Sequence, residues 1–355
     1  MRVGSLVYAT EQGLGILAKS FFDHCVVTDP VIVRHGRRPT REEWYPVGTP
    51  ILNSLRVDKV LLDWLKRIDV FLAFETPFIW DLFELCRSNS VKTVLCPMHE
   101  CLEVAKVQQH PPDMWLCPSH LDIQVAVRLA KNISDVEYLP IPVEVPWRQR
   151  TRAEVFVHNA GHGGLRGRNG TAELLQAMRL VKSDAKLILR SQDHQSWPPY
   201  PELLGKVTLH EGTQPYDQLW NDGDVFVYPE KFNGLSLPLQ EARAAGMLVM
   251  CSDRFPMNTW LPTEVEYQDG DESFVPLTRN PLIPVKSYNK GQRTFPQFHE
   301  FDEAVIDPRD IAAKIDEFYG ADITEYSLGG REWAKQMSWE NLKPRYLEVM
   351  SNLCG

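Results

Sequence analysis

The residues best suited to chemistry lie between Val225 and Met250, in the stretch VFVYPEKFNGLSLPLQEARAAGMLVM. Apolar runs at its two ends predict two short buried strands. The run Pro238–Ala245 between them, with Pro at its start and Gly246 after its end, predicts a helix. A helix that follows a parallel strand points its N-terminus at the carboxyl edge of the sheet, where anions bind. Glu241 falls within the first turns of this helix, from where a carboxylate can hold a ligand hydroxyl.

The same stretch is similar, without a gap, to the donor-binding signature of the family-4-like retaining glycosyltransferases of the GT-B fold. That signature is Pro, Ser, two variable residues, Glu-Gly-Phe-Gly-Leu-Pro, two further residues, Glu-Ala and a later Gly. Asn233 stands at the position of its first Glu, and Leu235 and Ser236 replace its Phe and Gly. The matching residues are Pro229, Gly234, Leu237, Pro238, Glu241, Ala242 and Gly246.

The resemblance implies an α/β GT-B architecture of two Rossmann-like domains, with parallel sheets facing a cleft and a C-terminal helix crossing back to the first domain. It implies that Glu241 binds the donor ribose and that Asn233 faces the transferred sugar. An Asn can hydrogen-bond a hydroxyl but cannot act as a base. The loop Gly234–Leu237 is expected to contact the donor, with the backbone N–H groups of Ser236 and Leu237 on the diphosphate.

A second candidate loop, Gly161–Gly170, lies between a predicted strand, Glu154–Asn159, and a clear amphipathic helix. As the bond between sugar and nucleotide breaks, negative charge grows on the diphosphate, so the chemistry needs cations nearby. Family members have an Arg and a Lys in this loop, and Asn169 stands at the Lys position. Arg166 and Arg168 are therefore the candidates; the alternative is a pair of arginines that is merely solvated.

In the first half of the chain, Arg2–Ala9 predicts a strand, followed by a loop and a helix from about Ile16. The loop contains Gly13 and Gly15, and a Gly-x-Gly turn after a strand suits close approach of the backbone to a phosphate. The alternative is an ordinary tight turn. The resemblance favours the phosphate interpretation, because GT-B enzymes place such a loop against the donor diphosphate.

His99 and Glu100 follow the predicted strand Lys92–Cys96 and so lie at its carboxyl end. The resemblance implies a residue of this kind in the cleft, where it touches the transferred sugar or the acceptor hydroxyl. The alternative is a structural histidine with no part in catalysis.

Two patterns in the sequence are compatible with metal binding. Cys-x-x-His occurs at 96–99 and at 117–120, and thiolate and imidazole are zinc ligands. Each pair ends a different strand, however, and cysteine is commonly buried. Asp-Gly-Asp occurs at 222–224, before a strand, and at 269–271, in a loop, and such carboxylates can bind Mg²⁺ or Mn²⁺. We expect no metal, because arginines and a helix N-terminus can do the same work.

Two basic segments bear on the acceptor. Four arginines lie in one predicted loop, and guanidiniums repel one another unless an anion is near, which predicts an acceptor-side anion site at Arg34, Arg37, Arg38 and Arg41. The alternative is a solvated surface loop. The stretch 272–301 interleaves basic and aromatic residues, a combination that can grip nucleic acid. The alternative there is an ordered surface insertion.

Length and composition set the wider frame. The 355 residues predict two domains. The family resemblance implies an N-terminal acceptor-side domain at 1–145, a nucleotide-sugar-binding domain at 151–325, and helices at 326–355 that pack back on the first domain. A hydrophobic content of 43%, no long apolar run and seven cysteines without a framework spacing predict a soluble cytoplasmic protein with reduced thiols. The net charge is −9, yet residues 1–150 carry 17 Lys and Arg against 18 Asp and Glu, so the acidic excess lies beyond them.

We therefore expect a metal-independent enzyme that moves a hexose from a UDP-sugar or GDP-sugar to an acceptor hydroxyl, with retention and without a cofactor. The acceptor is expected to be a saccharide or a small metabolite. Hydroxymethylated DNA, the acceptor of phage glucosyltransferases of the same architecture, is one alternative. A catalytically silent protein that binds nucleotide-sugars is another alternative, because Asn233 stands at the position of the family's first Glu. The oligomeric state stays open.

Overall fold

A computed structural model describes residues 1–34, 40–130, 133–161, 167–192, 201–260, 280–293 and 299–355. Within them the chain divides into two compact units. The first is Met1–Pro142 with Trp339–Gly355, and the second is Val143–Arg293 with Glu300–Ser338. Each unit is built on a parallel sheet, which confirms the predicted α/β class.

The sheet of the first unit has seven strands, all parallel, in the order β3-β2-β1-β4-β5-β6-β7. Its strands are β1 (Val3–Val7), β2 (Asp29–Val33), β3 (Ile51–Leu52), β4 (Val70–Glu75), β5 (Lys92–Pro97), β6 (Met114–Cys117) and β7 (Asp135–Tyr138). Its helices are α1 (Gly13–Asp23), α2 (Lys59–Leu65), α3 (Leu82–Ser88), α4 (Val104–Gln109), α5 (His120–Ala130) and, from the end of the chain, α10 (Trp339–Cys354). Central strands such as β4 are almost wholly apolar because helices cover both faces of a parallel sheet.

Local hydrogen bonds set the starts of two helices of the first unit. The helix expected from about Ile16 begins at Gly13, since the N–H of Ile16 already donates to the carbonyl of Gln12. Helix α2 begins at Lys59, where the Asp58 carboxylate caps it by accepting the N–H of Leu61 at 2.9 Å.

The C-terminal helix α10 packs on the first unit through aromatic side chains. Tyr346 is fully buried, and its hydroxyl donates to the carbonyl of Pro140 at 3.0 Å. The ring of Phe21 meets the rings of Trp339 and Tyr346 edge-on, with centroids 4.8 and 5.0 Å away. The last helix of the chain therefore returns to the unit in which the chain begins.

The sheet of the second unit has six strands, also all parallel, in the order β10-β9-β8-β11-β12-β13. Its strands are β8 (Val155–Gly161), β9 (Lys186–Ser191), β10 (Val207–Glu211), β11 (Val225–Tyr228), β12 (Leu248–Ser252) and β13 (Leu282–Ile283), and a separate pair is formed by β14 (Val285–Arg293) and β15 (His299–Ile306). Its helices are α6 (Thr171–Leu180), α7 (Leu237–Ala244), α8 (Pro308–Phe318) and α9 (Thr324–Gln336).

The expected C-terminal segment 326–355 is divided between the two units. Its first helix, α9, packs within the second unit against α7, where the Trp333 ring lies 4.6 Å from the Arg243 guanidinium. A Cβ at Gly330 of α9 would overlap the carbonyl of Arg243, so the two helices are in close contact. Only α10 belongs to the first unit.

No helix in the described part of the chain is both long enough and apolar enough to cross a membrane.

Candidate functional site

The strand order places two of the predicted loops side by side. In the second unit, β8, β9 and β10 follow one another toward one edge of the sheet, and β11, β12 and β13 follow one another toward the other edge. The strands β8 and β11, from which the two series start, are neighbours. Loops at the carboxyl ends of two such strands diverge and leave a crevice, the usual ligand site of this architecture. The described residues that follow β8 and β11 are 167–170 and 229–236. The candidate donor loops therefore occupy the position where the sheet itself provides a site.

Asn233 shapes the loop that precedes α7. Its Oδ1 accepts the N–H groups of Leu235 and Ser236 at 3.2 and 3.0 Å, and its Nδ2 donates to Oε2 of Glu230 at 3.1 Å. The side chain is 6% exposed, so these bonds are made away from water. Asn233, predicted to face the sugar, thus also holds the loop backbone in place.

The backbone at the start of α7 is organised by the same bonds. Ser236 adopts a left-handed conformation, with φ 52° and ψ 63°, which is strained for a residue with a side chain. Its N–H is engaged by Asn233, whereas it was expected to contact a diphosphate. Pro238 has no N–H, and those of Leu239 and Gln240 donate to the Ser236 carbonyl. Within the described structure, this leaves the N–H of Leu237 as the donor available at the helix N-terminus.

Glu241 lies in the second turn of α7 and is 8% exposed. The hydroxyl of Tyr216 donates to its Oε1 at 2.9 Å. Burial raises the pKa of Glu241 to about 7, although the hydrogen bond from Tyr216 acts in the opposite direction. A buried carboxyl that is partly protonated near neutral pH can both accept a hydrogen bond from a ligand hydroxyl and donate one to it, and groups of this kind concentrate at functional sites.

The loop after β8 is fastened to the loop after β11. Asn169 donates to the carbonyls of Asn159 and Ala160 at 3.0 and 3.2 Å and accepts the hydroxyl of Tyr228 at 2.9 Å. A Cβ at Gly170, where φ is +72°, would overlap the carbonyl of Pro229. Asn169, which stands at the family's Lys position, therefore has a structural role in this chain: its side chain hydrogen-bonds the end of β8 and the end of β11.

Of the two candidate arginines, Arg168 lies against the signature loop. Its guanidinium is 5.7 Å from the centroid of the Phe232 ring, and its carbonyl accepts the N–H of Lys231 at 2.7 Å. Arg166 lies outside the described residues. Arg168 is thus a cation held beside the loop that begins α7.

Sequence reasoning missed His158, in the middle of β8. It is fully buried, with Nδ1 2.8 Å from the carbonyl of Val227 and Nε2 2.8 Å from Oγ1 of Thr171. The carbonyl can only accept, so Nδ1 carries the proton and Nε2 accepts the Thr171 hydroxyl. Burial lowers the pKa of His158 to about 4, so the ring is neutral at physiological pH. A histidine within an apolar strand was the available signal.

The two glycines after β1 differ in their surroundings. A Cβ at Gly15 would overlap the carbonyl of Thr10, so this glycine allows α1 to pack against the end of β1. A Cβ at Gly13 would have no atom within 4 Å. Close packing therefore explains Gly15 without a ligand, and Gly13 borders open space in the first unit.

His99 and Glu100 lie in a short 3-10 helix after β5. The N–H of His99 donates to Oδ1 of Asp122 at 2.9 Å, and Asp122 is hydrogen-bonded through Oδ2 to Ser119. Burial, and to a lesser degree the charge of Glu100, raises the pKa of Asp122 well above its usual range. Ser119 caps the next helix by accepting the N–H of Asp122. The structure thus fixes the backbone at His99 through a buried carboxyl group.

The two described arginines of the basic loop have partners within the chain. Arg34 pairs with Glu42 at 2.7 Å, and Arg41 pairs with Glu11 at 2.7 Å. The anions expected from an acceptor are therefore supplied, for these two arginines, by carboxylates of the chain itself. Arg37 and Arg38 lie outside the described residues. In the later basic segment, Lys290 is likewise paired with a carboxylate, 2.6 Å away.

The segment between the two predicted domains contains a structural arginine. Arg150 is 2% exposed and donates to the carbonyls of Gly223 at 2.7 Å and Trp220 at 2.6 Å, and also to those of Arg148 and Ala245. Burial lowers its pKa to about 10, so it stays charged. Its guanidinium fastens the beginning of the second unit to the segment that carries Trp220.

The patterns considered for metal binding have other roles where they are described. Among the described residues, no group of three or more His, Cys, Asp and Glu could hold a metal ion. Burial strongly raises the pKa of the Cys96 and Cys117 thiols, which disfavours the thiolate that a metal requires. Asp224 accepts the N–H of Val155 at 2.9 Å. The second Asp-Gly-Asp, at 269–271, lies outside the described residues.

No protein-family model matches the sequence, and no curated protein matches it either. Solved structures do. The chain is similar to sucrose-phosphate synthase from Thermosynechococcus elongatus, with a TM-score of 0.64 at 12% identity over 99% of both chains. It is similar to a glycosyltransferase from Rickettsia africae, with a TM-score of 0.63 at 11% identity over 99% of this chain and 98% of that one. It is also similar to Anabaena HepE in complex with UDP and glucose, with a TM-score of 0.63 at 9% identity over 99% of this chain and 100% of that one.

The chain has the GT-B fold. The match extends over both units, which accounts for the two parallel sheets and for α10. At 9–12% identity, the likeness establishes the architecture of the chain and leaves its substrates to be argued from its own residues.

Proposed function

We propose that the protein is a hexosyltransferase that takes its donor, a nucleotide-diphosphate sugar, on the second unit. The observation that carries this proposal is the position of Glu241, a buried carboxyl in the second turn of a helix whose N-terminus lies at the crevice of a parallel sheet. Solved GT-B structures support it, because HepE was determined in complex with UDP-glucose. We expect no metal and no cofactor besides the donor.

Each part of the donor has a complementary group. Glu241 holds the ribose hydroxyls, as the family resemblance implies. The N–H of Leu237, the positive end of the α7 dipole and the guanidinium of Arg168 meet the diphosphate, with Arg166 as a further cation. Asn233 keeps one Nδ2 proton beyond its bond to Glu230, and we assign that proton to a sugar hydroxyl.

The reaction is the displacement of the nucleoside diphosphate by an acceptor hydroxyl at the anomeric carbon. Its transition state has oxocarbenium character at the sugar and growing negative charge on the leaving phosphate. Cations fixed beside that phosphate lower the barrier, because they need no reorganisation as the charge appears. The leaving oxygen then accepts the proton of the incoming hydroxyl, so no strong base is needed and the configuration is retained.

We propose a saccharide or a small metabolite as the acceptor and the first unit as its binding side, with His99 and Glu100 as candidates to contact its hydroxyl. The described arginines of the basic loop, Arg34 and Arg41, are paired with carboxylates of the chain itself. The net charge of −9 also opposes a polyanionic acceptor.

A panel of UDP- and GDP-sugars tests this proposal. The purified protein is incubated with each donor, with and without a mixture of saccharide acceptors, and release of the free nucleotide is measured. We expect release of UDP or GDP from one donor class, and an NMR spectrum of the product that shows the donor's anomeric configuration. Binding of a donor without release would indicate a silent binding protein, and neither binding nor release would reject the function.

A further inference from the structure

Arg254, which sequence reasoning did not consider, follows β12 at the carboxyl edge of the second sheet. It is 8% exposed. In the described structure its guanidinium makes one hydrogen bond, a long one from Nη1 to the carbonyl of Asn233 at 3.4 Å, and its Nε has no acceptor. No ion pair among the described residues includes it. Arg254 is therefore a buried cation with little compensation.

The other buried arginines of the second unit are differently placed. Arg150 donates to four backbone carbonyls. Arg190 donates to the carbonyl of Leu219 and lies 3.4 Å from the Asp222 carboxylate. Arg243 donates to the carbonyl of Trp260 and stacks on the Trp333 ring. Burying a guanidinium is costly unless it is paired and hydrogen-bonded, and these three arginines have the partners that Arg254 lacks.

The carboxylates of Asp253 and Glu230 form no ion pair with Arg254 within the described structure, and each accepts a hydrogen bond from an asparagine. Oδ1 of Asp253 accepts from Nδ2 of Asn258 at 3.0 Å, and Oε2 of Glu230 accepts from Asn233. The hydroxyl of Ser252 donates to the Glu230 carbonyl at 2.7 Å and so ties the end of β12 to the signature loop. Arg254 is thus fixed against this loop without a counterion of its own.

We infer that Arg254 binds the β-phosphate of the donor, which is the phosphate attached to the transferred sugar. This inference rests on the proposed function and adds a residue to its diphosphate site. The guanidinium contacts Asn233, whose side chain holds the N–H of Ser236, and the available N–H of Leu237 is the next along the chain. A phosphate at this point completes the coordination of Arg254 and caps the N-terminus of α7. The same contact stabilises the leaving group as the sugar departs.

The test compares the parent with Arg254→Gln and Arg254→Lys in calorimetric titrations with UDP and UMP, or with GDP and GMP in their place if the parent binds GDP and not UDP. UMP lacks the β-phosphate, the one that is attached to the transferred sugar in the donor. Arg309→Gln is the matched control, because Arg309 is an exposed arginine of the same unit that pairs with Asp307. Thermal unfolding without ligand is measured for all four proteins.

We expect Arg254→Gln to weaken UDP binding about 10- to 100-fold and UMP binding by less than about 3-fold, with Arg254→Lys in between. The control binds as the parent does. The unliganded Arg254→Gln protein should unfold at the same or a higher temperature, because the variant removes an uncompensated buried charge.

Two outcomes overturn the inference while the parent still binds UDP, and so leave the proposed function standing. One is UDP binding by Arg254→Gln that equals that of the parent. The other is an equal loss for UDP and UMP together with a lower unfolding temperature, which would make Arg254 structural. A parent that binds neither UDP nor GDP overturns both the inference and the proposed function.

Discussion

The hydroxyl of Tyr216 donates a hydrogen bond to Oε1 of Glu241 at 2.9 Å, from a short 3-10 helix that precedes β11. Two segments that are 25 residues apart in the chain thereby orient one carboxyl group at the N-terminal part of α7. Burial raises the pKa values of both groups, that of Glu241 to about 7. The group that we assign to the ribose is therefore held in place before any ligand arrives.

The raised pKa of Glu241 predicts a stability effect with a definite sign. The folded protein holds this proton more tightly than the unfolded chain, whose carboxyl has an ordinary pKa of 4.5. The contribution to stability is therefore complete below pH 4.5 and is lost as the pH rises to 7. Glu241→Gln cannot titrate, so its free energy of unfolding should rise relative to that of the parent by about 3 kcal/mol over this range. Urea unfolding at pH 5, 6, 7 and 8 measures the difference, and a constant difference would refute the assignment.

The lowered pKa of His158 predicts that stability changes with pH in the opposite direction. Burial lowers its pKa from an ordinary 6.5 to about 4, so its contribution is present above pH 6.5 and is lost as the pH falls toward 4. The stability of the parent relative to His158→Asn should therefore fall by about 3 kcal/mol across that range. Urea unfolding of both proteins at pH 4, 5, 6 and 7 measures it. A parent and variant that respond identically to acid would show that His158 is not buried in its neutral form.

Two glycines in α1 provide a matched pair. Gly15→Ala would force a Cβ into the carbonyl of Thr10, so we expect it to destabilise the protein by about 2 kcal/mol or more. Gly13→Ala meets open space and should change stability by less than about 0.5 kcal/mol. Urea unfolding at pH 7 compares them. Equal effects would mean that α1 does not pack against the end of β1 as described.

Asn233 should prove to be a stabilising residue as well as a site residue. Asn233→Ala removes the acceptor of two buried backbone N–H groups and the donor to Glu230, at an expected cost of about 2–4 kcal/mol. Asn221→Ala, an exposed asparagine of the same unit, serves as the control and should stay within about 0.5 kcal/mol of the parent. A loss of donor binding by Asn233→Ala without any loss of stability would instead assign Asn233 to the sugar alone.

The fold followed from the sequence because its signals are local. Alternating and continuous apolar runs locate strands such as β11, and Pro238 with Gly246 brackets α7 to within a residue. The role of Asn233 in shaping its loop was also open to prediction, since an Asn side chain commonly bonds the backbone two residues further on.

The remaining features depend on contacts between distant parts of the chain. Arg150 lies in the sequence between the two predicted domains, and its burial arises from carbonyls 70 or more residues away. The pairing of Arg41 could not be predicted, because its partner Glu11 is 30 residues distant in the chain. Arg254 became a candidate only when its burial and its lack of partners were known. Charges alone do not reveal which cations the fold has already neutralised.

The binding of UDP and GDP to Glu241→Ala tests the central claim most directly. Calorimetric titration compares it with the parent and with Glu332→Ala, which removes an exposed carboxylate of the same unit. We predict that the parent binds one of the two nucleotides saturably, that Glu332→Ala binds it equally well, and that Glu241→Ala binds it at least about 10-fold more weakly. An affinity of Glu241→Ala equal to that of the parent would contradict the account.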